Sequence, residues 1–331
     1  MLKPLDQQTL VITGASSGIG LATARAAVRR GARVFLISRN GAALAEICRT
    51  LTAAGGEAAF ATADVGDAVQ LRAAAEVAIA RFGEIDSWIN VAGVAIYAPL
   101  LETPIAEHER LFRTNYWGVV HAARIAVPLL RANGGAFVTV GSIASDLGSP
   151  ILGAYAASKH ALKGFIDSLR IELIAERAPI SVTLIKPSGI GTPLAEHAAN
   201  HMGAAAKVPP PAYSPEVVAR AILQTVQRPR RELTVGGAGI VQTLVAAHSP
   251  RLADWISSFV PPLLKDGRRP ANASNNLEGP GDDGETRSPH EPSKPFSLYT
   301  GAALNPGLAL GLVGALGLAA LAVTRVSPSR P

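Results

Sequence analysis

The sequence predicts an α/β domain with a doubly wound parallel sheet of about seven strands and helices on both faces. Short, continuous apolar runs alternate with helical stretches over residues 6–236, which is typical of a parallel sheet buried on both sides. The first apolar run is followed at once by a glycine-rich turn and an alanine-rich helix. A span of this length forms a single α/β domain comfortably.

The strands are predicted from apolar or β-rich runs that end at turn residues. The runs are 9–13, 33–38, 57–63, 85–91, 135–141, 180–187 and 232–235. A helix is expected over Leu21–Arg30, between the first two strands. Because ligands bind such sheets at the carboxyl ends of the strands, the chemically active residues are expected there.

The turn after the first strand contains three glycines with Gly-x-x-x-Gly-x-Gly spacing. Glycines allow a tight turn and a close approach to a pyrophosphate, and the following helix offers free N–H groups. Strand, turn and helix in this order indicate a Rossmann-type dinucleotide site, although such a turn alone can also be purely structural. The predicted cofactor-binding residues of the turn are Gly14, Ser16, Ser17, Gly18, Ile19 and Gly20.

Tyr155 and Lys159 are four residues apart, so a helix would place both side chains on one face. A nearby ammonium favours the phenolate and lowers the pKa of the tyrosine. Such a tyrosine can donate a proton to a carbonyl oxygen or accept one from an alcohol. The alternative is a solvated helix face, so the pair is informative only in combination with the glycine-rich turn.

The two motifs together resemble the short-chain dehydrogenase/reductases, which carry Thr-Gly-x-x-x-Gly-x-Gly near the N-terminus and Tyr-x-x-x-Lys further along. The resemblance covers residues 6–236. It implies a Rossmann-type fold and hydride transfer between a nicotinamide cofactor and a carbonyl or alcohol. The residues that match the catalytic tetrad of this family are Asn115, Ser142, Tyr155 and Lys159.

The resemblance also implies a role for each member of the tetrad. Tyr155 is the proton donor in reduction and the base in oxidation, and Ser142 hydrogen-bonds the substrate oxygen. Lys159 lowers the pKa of Tyr155 and binds the nicotinamide ribose, so Tyr155 and Lys159 also count as cofactor-binding residues. Asn115 is expected to hold a water that links Lys159 to solvent.

Further residues match positions that contact the cofactor in this family. They are Asp64 and Val65 near the adenine, Asn90, Ala92 and Gly93 after the fourth strand, and Pro187, Ile190 and Thr192 near the nicotinamide. Two positions depart from the pattern, since Val91 replaces a second asparagine and Ser188 replaces a glycine. Neither position transfers a proton, so the departures affect loop geometry and not the chemistry.

The end of the second strand predicts which nicotinamide cofactor binds. An NAD(H) site usually places an acidic residue there, whereas this chain has Ser38, Arg39 and Asn40. Without a carboxylate to repel it, the 2′-phosphate of NADP(H) can meet the Arg39 guanidinium. NADP(H) is therefore predicted over NAD(H). The alternative is that Arg39 only begins a solvated helix.

The substrate side is predicted to be apolar. Its expected lining is Val94, Ile96, Ile143, Leu147 and Leu152. The loop 194–213 is expected to cap it, and apart from Lys207 it offers no fixed charge for an anionic substrate. We therefore expect a lipophilic ketone, aldehyde or secondary alcohol.

The C-terminal part divides into three segments. Helical periodicity over 237–264 predicts an extension of the domain 1–264, packed on the core or a second subunit, lying on a membrane, or covering the substrate site. The polar composition of 265–297 predicts a flexible linker. The hydrophobic segment 298–326 predicts a helix long enough to anchor the protein in a membrane, or one docked on protein.

Composition limits the other possibilities. The net charge is +6, but only 17% of residues are charged and no nucleic-acid-binding motif accompanies them, so no nucleic-acid partner is expected. A single cysteine excludes a disulfide within the chain, and the histidines lack metal-ligand spacing. No apolar signal segment precedes the first strand, so a cytoplasmic catalytic domain is expected.

The expected protein is therefore an NADP(H)-dependent oxidoreductase with a cytoplasmic catalytic domain, and family resemblance implies a homo-dimer or homo-tetramer. A different kind of function is also open, in which the same fold serves as a non-catalytic NADP-binding sensor or a membrane-tethered scaffold. The complete tetrad weighs against it.

Overall fold

The computed structural model describes residues 2–271 and 275–307, and its centre is a seven-stranded parallel sheet. The strands are β1 Thr9–Thr13, β2 Arg33–Ser38, β3 Ala58–Thr62, β4 Ser87–Asn90, β5 Gly135–Val140, β6 Ile180–Pro187 and β7 Glu232–Val235. They lie in the order β7-β6-β5-β4-β1-β2-β3. The predicted doubly wound sheet is confirmed.

Helices cover both faces of this sheet. They are α1 Gly18–Val28, α2 Gly41–Ala53, α3 Ala68–Phe82, α4 Ile105–Phe112, α5 Gly118–Asn133, α6 Gly153–Ala175, the short α7 Leu194–His197 and α8 Pro215–Thr225. Alternate strand residues face opposite layers, so Leu10 and Ile12 join the core with α1, α2 and α8, whereas Val11 joins the core with α3, α5 and α6. This arrangement explains why the strands are apolar without interruption.

β1 and β4 are neighbours in the sheet, and successive strands are added outward from β1 on one side and outward from β4 on the other. Between two such strands the connections leave toward opposite faces, and a cleft opens at the carboxyl ends of the two strands. The turns that follow β1 and β4 are in close contact at the base of this cleft. A Cβ atom at Gly14 would lie 2.6 Å from the Ala92 backbone. Gly14 also has a φ of +65°, which favours glycine.

The chain continues past the sheet as two helices, α9 Gly237–His248 and α10 Pro250–Ser257. Lys265–Asp266 then pairs antiparallel with Ala205–Ala206. The described part of the following segment lies against the domain, and α11 Leu298–Leu304 ends where the Gln224 side chain donates to the Leu304 carbonyl at 2.7 Å. The flexibility expected of 265–297 concerns motion and stays a prediction.

The described helices include none with the length and apolar character needed to cross a membrane. The predicted hydrophobic helix 298–326 overlaps α11, and its residues 308–326 lie outside the described residues. The membrane anchor is thus not supported by the described part of the chain. The boundaries predicted for the three C-terminal segments stay predictions.

Candidate active site

A cleft of roughly 640 Å³ lies at the carboxyl ends of the strands. Most of the predicted site residues line it. They are Gly14, Ser16, Ser17, Gly18, Ile19, Ser38, Arg39, Asn40, Asp64, Val65, Ala92, Gly93, Val94, Ser142, Ile143, Leu147, Leu152, Tyr155, Lys159, Pro187, Ile190 and Thr192. Gly20, Asn90, Ile96 and Asn115 are not part of the lining.

Three of these four residues hold the structure around the cleft. A Cβ atom at Gly20 would lie 2.0 Å from the Gly14 carbonyl oxygen, so this glycine lets α1 pack on the turn. The Asn90 amide donates to Thr139 Oγ1 at 3.2 Å, within the sheet. Ile96, expected at the substrate rim, is instead buried, because residues 96–97 pair with 199–200 and turn its side chain into an apolar cluster.

Asn115 lies in the π-helical turn Arg113–Trp117 between α4 and α5. Its Oδ1 accepts from the Val94 N–H at 2.9 Å, and its Nδ2 donates to the Val94 carbonyl at 3.0 Å and to Ser158 Oγ at 3.1 Å. The side chain therefore fixes the loop after β4. The water relay expected of this residue stays a prediction.

Ser142, Tyr155 and Lys159 meet at one end of the cleft. Ser142 follows β5, where its hydroxyl accepts from the Ala144 N–H at 3.1 Å and is hydrogen-bonded to the Tyr155 hydroxyl. Tyr155 lies in the first turn of α6, and Lys159 follows one turn later with its Nζ 5.5 Å from the Tyr155 ring centroid. The Lys159 ammonium also donates to the Val140 carbonyl at 3.0 Å.

Burial dominates the protonation of this group. It raises the pKa of Tyr155 to about 12, against a smaller lowering by the hydrogen bond with Ser142. Burial also lowers the pKa of Lys159 to about 8. A net lowering of the Tyr155 pKa, expected from the nearby Lys159, is not found, because burial in surroundings of low polarity disfavours the phenolate. At neutral pH the tyrosine holds its proton.

The other end of the cleft presents hydrogen-bond donors. The Gly18 N–H begins α1, the Ser16 hydroxyl precedes it, and the Arg39 guanidinium follows β2. Each of these groups donates to an oxygen atom of the segment 276–285, which crosses the cleft here. Burial lowers the pKa of Arg39, although an arginine stays charged at neutral pH.

Two neighbouring polar residues have structural partners. Asp64 accepts from the Gly66 N–H at 2.8 Å and from the Arg110 guanidinium at 2.6 Å, which fixes its carboxylate beside the cleft. The Asn40 side chain accepts from the Ala43 N–H at 3.1 Å and so caps α2. The contacts expected of both residues with a cofactor stay predictions.

The segment after β6 lines the wall between the two ends. A Cβ atom at Gly18 would lie 3.3 Å from Thr192 Cβ, so this segment approaches the glycine-rich turn closely. Ser188, which replaces a glycine of the family pattern, has a buried hydroxyl without a hydrogen-bond partner among the described residues. The serine is accommodated because it faces Gly236, where a Cβ atom would lie 2.0 Å from its Oγ.

One group of apolar lining residues was not predicted from the sequence. They come from α9, α10 and the turn after them: Val241, Val245, Ile256, Val260 and Leu263. The sequence does contain a signal for them, because apolar residues recur at helical spacing in this segment. A cover over the substrate site was one of the roles expected of it. Among the described residues, no cluster of His, Cys, Asp or Glu is arranged to hold a metal ion.

The comparisons with known proteins agree with this geometry. The family model for short chain dehydrogenases matches residues 8–203. An uncharacterized oxidoreductase, YxnA, of Bacillus subtilis (strain 168) is 40% identical over 274 residues, covering 82% of this chain and 77% of that protein.

Two solved structures share the fold. A short chain dehydrogenase/reductase of Burkholderia phymatum in complex with NAD has 25% identity and a TM-score of 0.69, covering 76% of this chain and 96% of its own. An alcohol dehydrogenase of the archaeon Thermococcus sibiricus, complexed with 5-hydroxy-NADP, has 25% identity and a TM-score of 0.61, covering 69% and 95%. On the family model and the oxidoreductase relative, this chain belongs to the short-chain dehydrogenase family.

Proposed function

We propose that this protein is an NADP(H)-dependent oxidoreductase that interconverts a lipophilic carbonyl compound and the corresponding secondary or primary alcohol. The observation that carries the proposal is the meeting of Ser142, Tyr155 and Lys159 at one end of the cleft whose other end is the glycine-rich turn. Proton transfer and dinucleotide binding would thus take place within one cavity.

The donors of the cleft fit a dinucleotide. The Gly18 N–H and the Ser16 hydroxyl suit a pyrophosphate, and both already donate to oxygen atoms, at 2.9 Å and 2.8 Å. The adenosine end has the Arg39 guanidinium, which suits a 2′-phosphate. No carboxylate stands among Ser38, Arg39 and Asn40, which supports NADP(H) over NAD(H). The solved relatives bind one or the other, so they support a nicotinamide cofactor in general.

The proton chemistry follows from the state of Tyr155. NADPH, held by the Gly18 N–H, the Ser16 hydroxyl and the Arg39 guanidinium, would supply the hydride that the carbonyl carbon of a substrate accepts. The Tyr155 hydroxyl, protonated because burial raises its pKa to about 12, donates the proton that the carbonyl oxygen then needs. Ser142 donates a hydrogen bond to the same oxygen, and the Lys159 ammonium stabilises the tyrosinate that remains until solvent returns a proton.

An apolar substrate is proposed from the lining of the catalytic end. Ile143, Leu147 and Leu152 line the cleft together with Val245 of α9 and Ile256 of α10. Apolar side chains bind a substrate through the area that they remove from water, at roughly 25 cal/mol per Å².

A homo-dimer or homo-tetramer is also proposed. Apolar side chains stand exposed on the helices around the site, with Trp117 50%, Ile171 64% and Ile174 69% exposed. Such a surface suits burial against a second copy of the chain. Light scattering on the purified protein tests this, and a monomer at micromolar concentration would contradict it.

Turnover of NADPH by the full-length protein with a panel of lipophilic ketones and aldehydes tests the proposed activity. Tyr155→Phe, which keeps the ring and removes only the hydroxyl, should lower the rate about 10²- to 10⁴-fold. NADPH should still bind the variant, because the glycine-rich turn and Arg39 are unchanged. A wild type that binds NADPH and turns over no carbonyl compound, or a variant of equal rate, would refute the proposal and favour a cofactor sensor.

A further inference from the structure

We propose that residues 276–285 form an autoinhibitory strap that occupies the phosphate and adenosine half of the cleft and must leave before NADP(H) binds. The inference rests on the proposed function, and it concerns the regulation of the same site. It is carried by the hydrogen bonds that this segment makes, because they use the donors proposed for the cofactor.

The strap binds the glycine-rich turn first. The Gly18 N–H donates to the Glu285 carbonyl at 2.9 Å, and the Gly284 N–H donates back to the Ser16 carbonyl at 2.9 Å. The Ser16 hydroxyl donates to the Asp283 carboxylate at 2.8 Å. A backbone N–H has a single proton to donate, so the Gly18 N–H cannot serve the strap and a pyrophosphate together. Asp283 places a negative charge at the turn, as a phosphate would.

The strap also binds the group proposed for the 2′-phosphate. The Arg39 guanidinium donates to the Leu277 carbonyl at 3.2 Å and to the Asn276 carbonyl. Asn276, Gly281 and Asp283 themselves line the cleft, so the strap takes up its space as well as its donors.

One apolar residue fixes the strap between these polar contacts. The Leu277 side chain is 2% exposed and belongs to the cluster formed with Val94, Leu111 and Ala154. Burial of a leucine side chain contributes more to such a contact than any one of the hydrogen bonds.

The chain is held on both sides of the strap. On the N-terminal side, Lys265–Asp266 pairs with Ala205–Ala206. On the C-terminal side, the Ser288 N–H donates to the Gly191 carbonyl at 3.1 Å, and the Lys294 N–H donates to the Ala212 carbonyl at 2.9 Å. The strap can therefore leave the cleft as a loop while its ends stay attached, which keeps its local concentration high.

Such a strap lowers the apparent affinity for the cofactor by the fraction of molecules in which the cleft is open. Weakening the strap should therefore tighten NADPH binding without changing any residue proposed to touch the cofactor. The readout is the dissociation constant of NADPH, measured on the full-length protein by the fluorescence of the bound cofactor, so it does not depend on a substrate.

The first variant is Asp283→Ala, which removes the acceptor of the Ser16 hydroxyl. A hydrogen bond to a charged group is worth a factor of about 10, so NADPH should bind roughly 5- to 10-fold more tightly. Asp282→Ala is the matched control for charge, because Asp282 is exposed and has no hydrogen bond or ion pair within the described residues. Its dissociation constant should stay within about twofold of the wild type.

Leu277→Ala tests the apolar contact and should tighten binding at least as much as Asp283→Ala, with thermal unfolding as the check that the fold is retained. A disulfide that holds the strap in the cleft should have the opposite effect on NADPH binding. An ideal Cβ atom at Gly281 lies 3.4 Å from His197 Cγ, so Gly281→Cys with His197→Cys is placed for a disulfide. The oxidised protein should lose NADPH binding, and reduction should restore it.

Unchanged or weaker NADPH binding in both Asp283→Ala and Leu277→Ala would overturn the proposal, as would full binding by the oxidised disulfide variant. A different result marks failure of the proposed function. If neither the wild type nor the released variants bind NADPH or NADH at millimolar concentration, the cleft is not a dinucleotide site, and the strap has no cofactor to exclude.

Discussion

The two ends of the cleft are built in different ways. At the catalytic end, Tyr155 and Lys159 lie on α6, Ser142 follows β5, and the Lys159 ammonium donates to the Val140 carbonyl at the end of β5. At the phosphate end, the residues 276–285 have no helix or strand and lie on the glycine-rich turn through a few polar bonds and one leucine. Regular, buried elements keep a geometry constant, whereas a segment held by few contacts opens at low cost.

Because of this difference, the chemical step and the binding of the cofactor depend on different parts of the cleft. Changes at the catalytic end should alter the rate of the chemical step far more than the affinity for the cofactor. Changes at the phosphate end should do the reverse. Variants at the two ends test this division.

After Tyr155→Phe, the largest effect is expected for Ser142→Ala. Loss of one donor to the oxygen that becomes charged should lower kcat by about 10²- to 10³-fold. The dissociation constant of NADPH should change less than about threefold, because Ser142 lies at the catalytic end. Steady-state kinetics and a fluorescence titration measure the two values on one preparation. A large loss of NADPH affinity would contradict the division between the two ends.

Lys159→Met should reveal how much the burial of the Lys159 ammonium lowers the free energy of unfolding. Burial sets the pKa of Lys159 at about 8, below the ordinary value of 10.5, so the unfolded chain binds more protons between these values. Stability from this residue therefore rises with pH through that window. The free energy of unfolding of the wild type, minus that of the variant, should grow by about 2 to 3 kcal/mol from about pH 7 to about pH 10.

Urea unfolding at several pH values measures this difference. Lys163→Met is a control on the same helix, since the Lys163 side chain is 32% exposed and pairs with Asp146. A wild-type advantage that falls as pH rises would contradict the assignment of Lys159 as a buried ammonium.

Arg39→Ala should separate the two nicotinamide cofactors. Loss of a charge-assisted contact to the 2′-phosphate should weaken NADPH binding roughly 10- to 100-fold. NADH should bind no worse than to the wild type, because the same change removes the bonds between Arg39 and the strap. Titration with both cofactors checks this. An equal loss for both would show that Arg39 does not distinguish them.

The smallest effect is expected at the apolar cover. Ile256→Ala removes apolar surface from the cleft lining and should raise KM for long-chain ketones about three- to tenfold, with little change for acetone. Leu252→Ala is the matched control, because Leu252 also lies on α10 and is not among the lining residues. A rise in KM for both variants would assign the effect to helix stability.

The sheet and the glycine-rich turn could be predicted from the sequence because both depend on short stretches of consecutive residues. Continuous apolar strands such as 33–38 have one stable placement, and Gly14 is needed where a side chain would strike Ala92. The strap could not be predicted in this way. Most of its hydrogen bonds use its own backbone N–H and carbonyl groups, which any sequence offers, and its polar composition resembles that of a linker.

Two details of the site depended on tertiary packing. Ile96 was expected at the rim, but a two-residue pairing with 199–200 places it in the core. The pKa of Tyr155 was expected to fall because Lys159 is near, and burial raises it. Sequence spacing reports which side chains are neighbours, whereas the polarity around them depends on the whole fold.

Hydrogen exchange of the full-length protein, with and without saturating NADPH, shows whether the strap leaves the cleft when the cofactor binds. The account predicts faster exchange at the amides of Leu277 and Gly284, which are hydrogen-bonded in the closed strap, and slower exchange in the glycine-rich turn. Amides of α6 around Tyr155 should change little. Slower exchange of the strap on NADPH binding would contradict the account, because the segment would then hold the cofactor instead of excluding it.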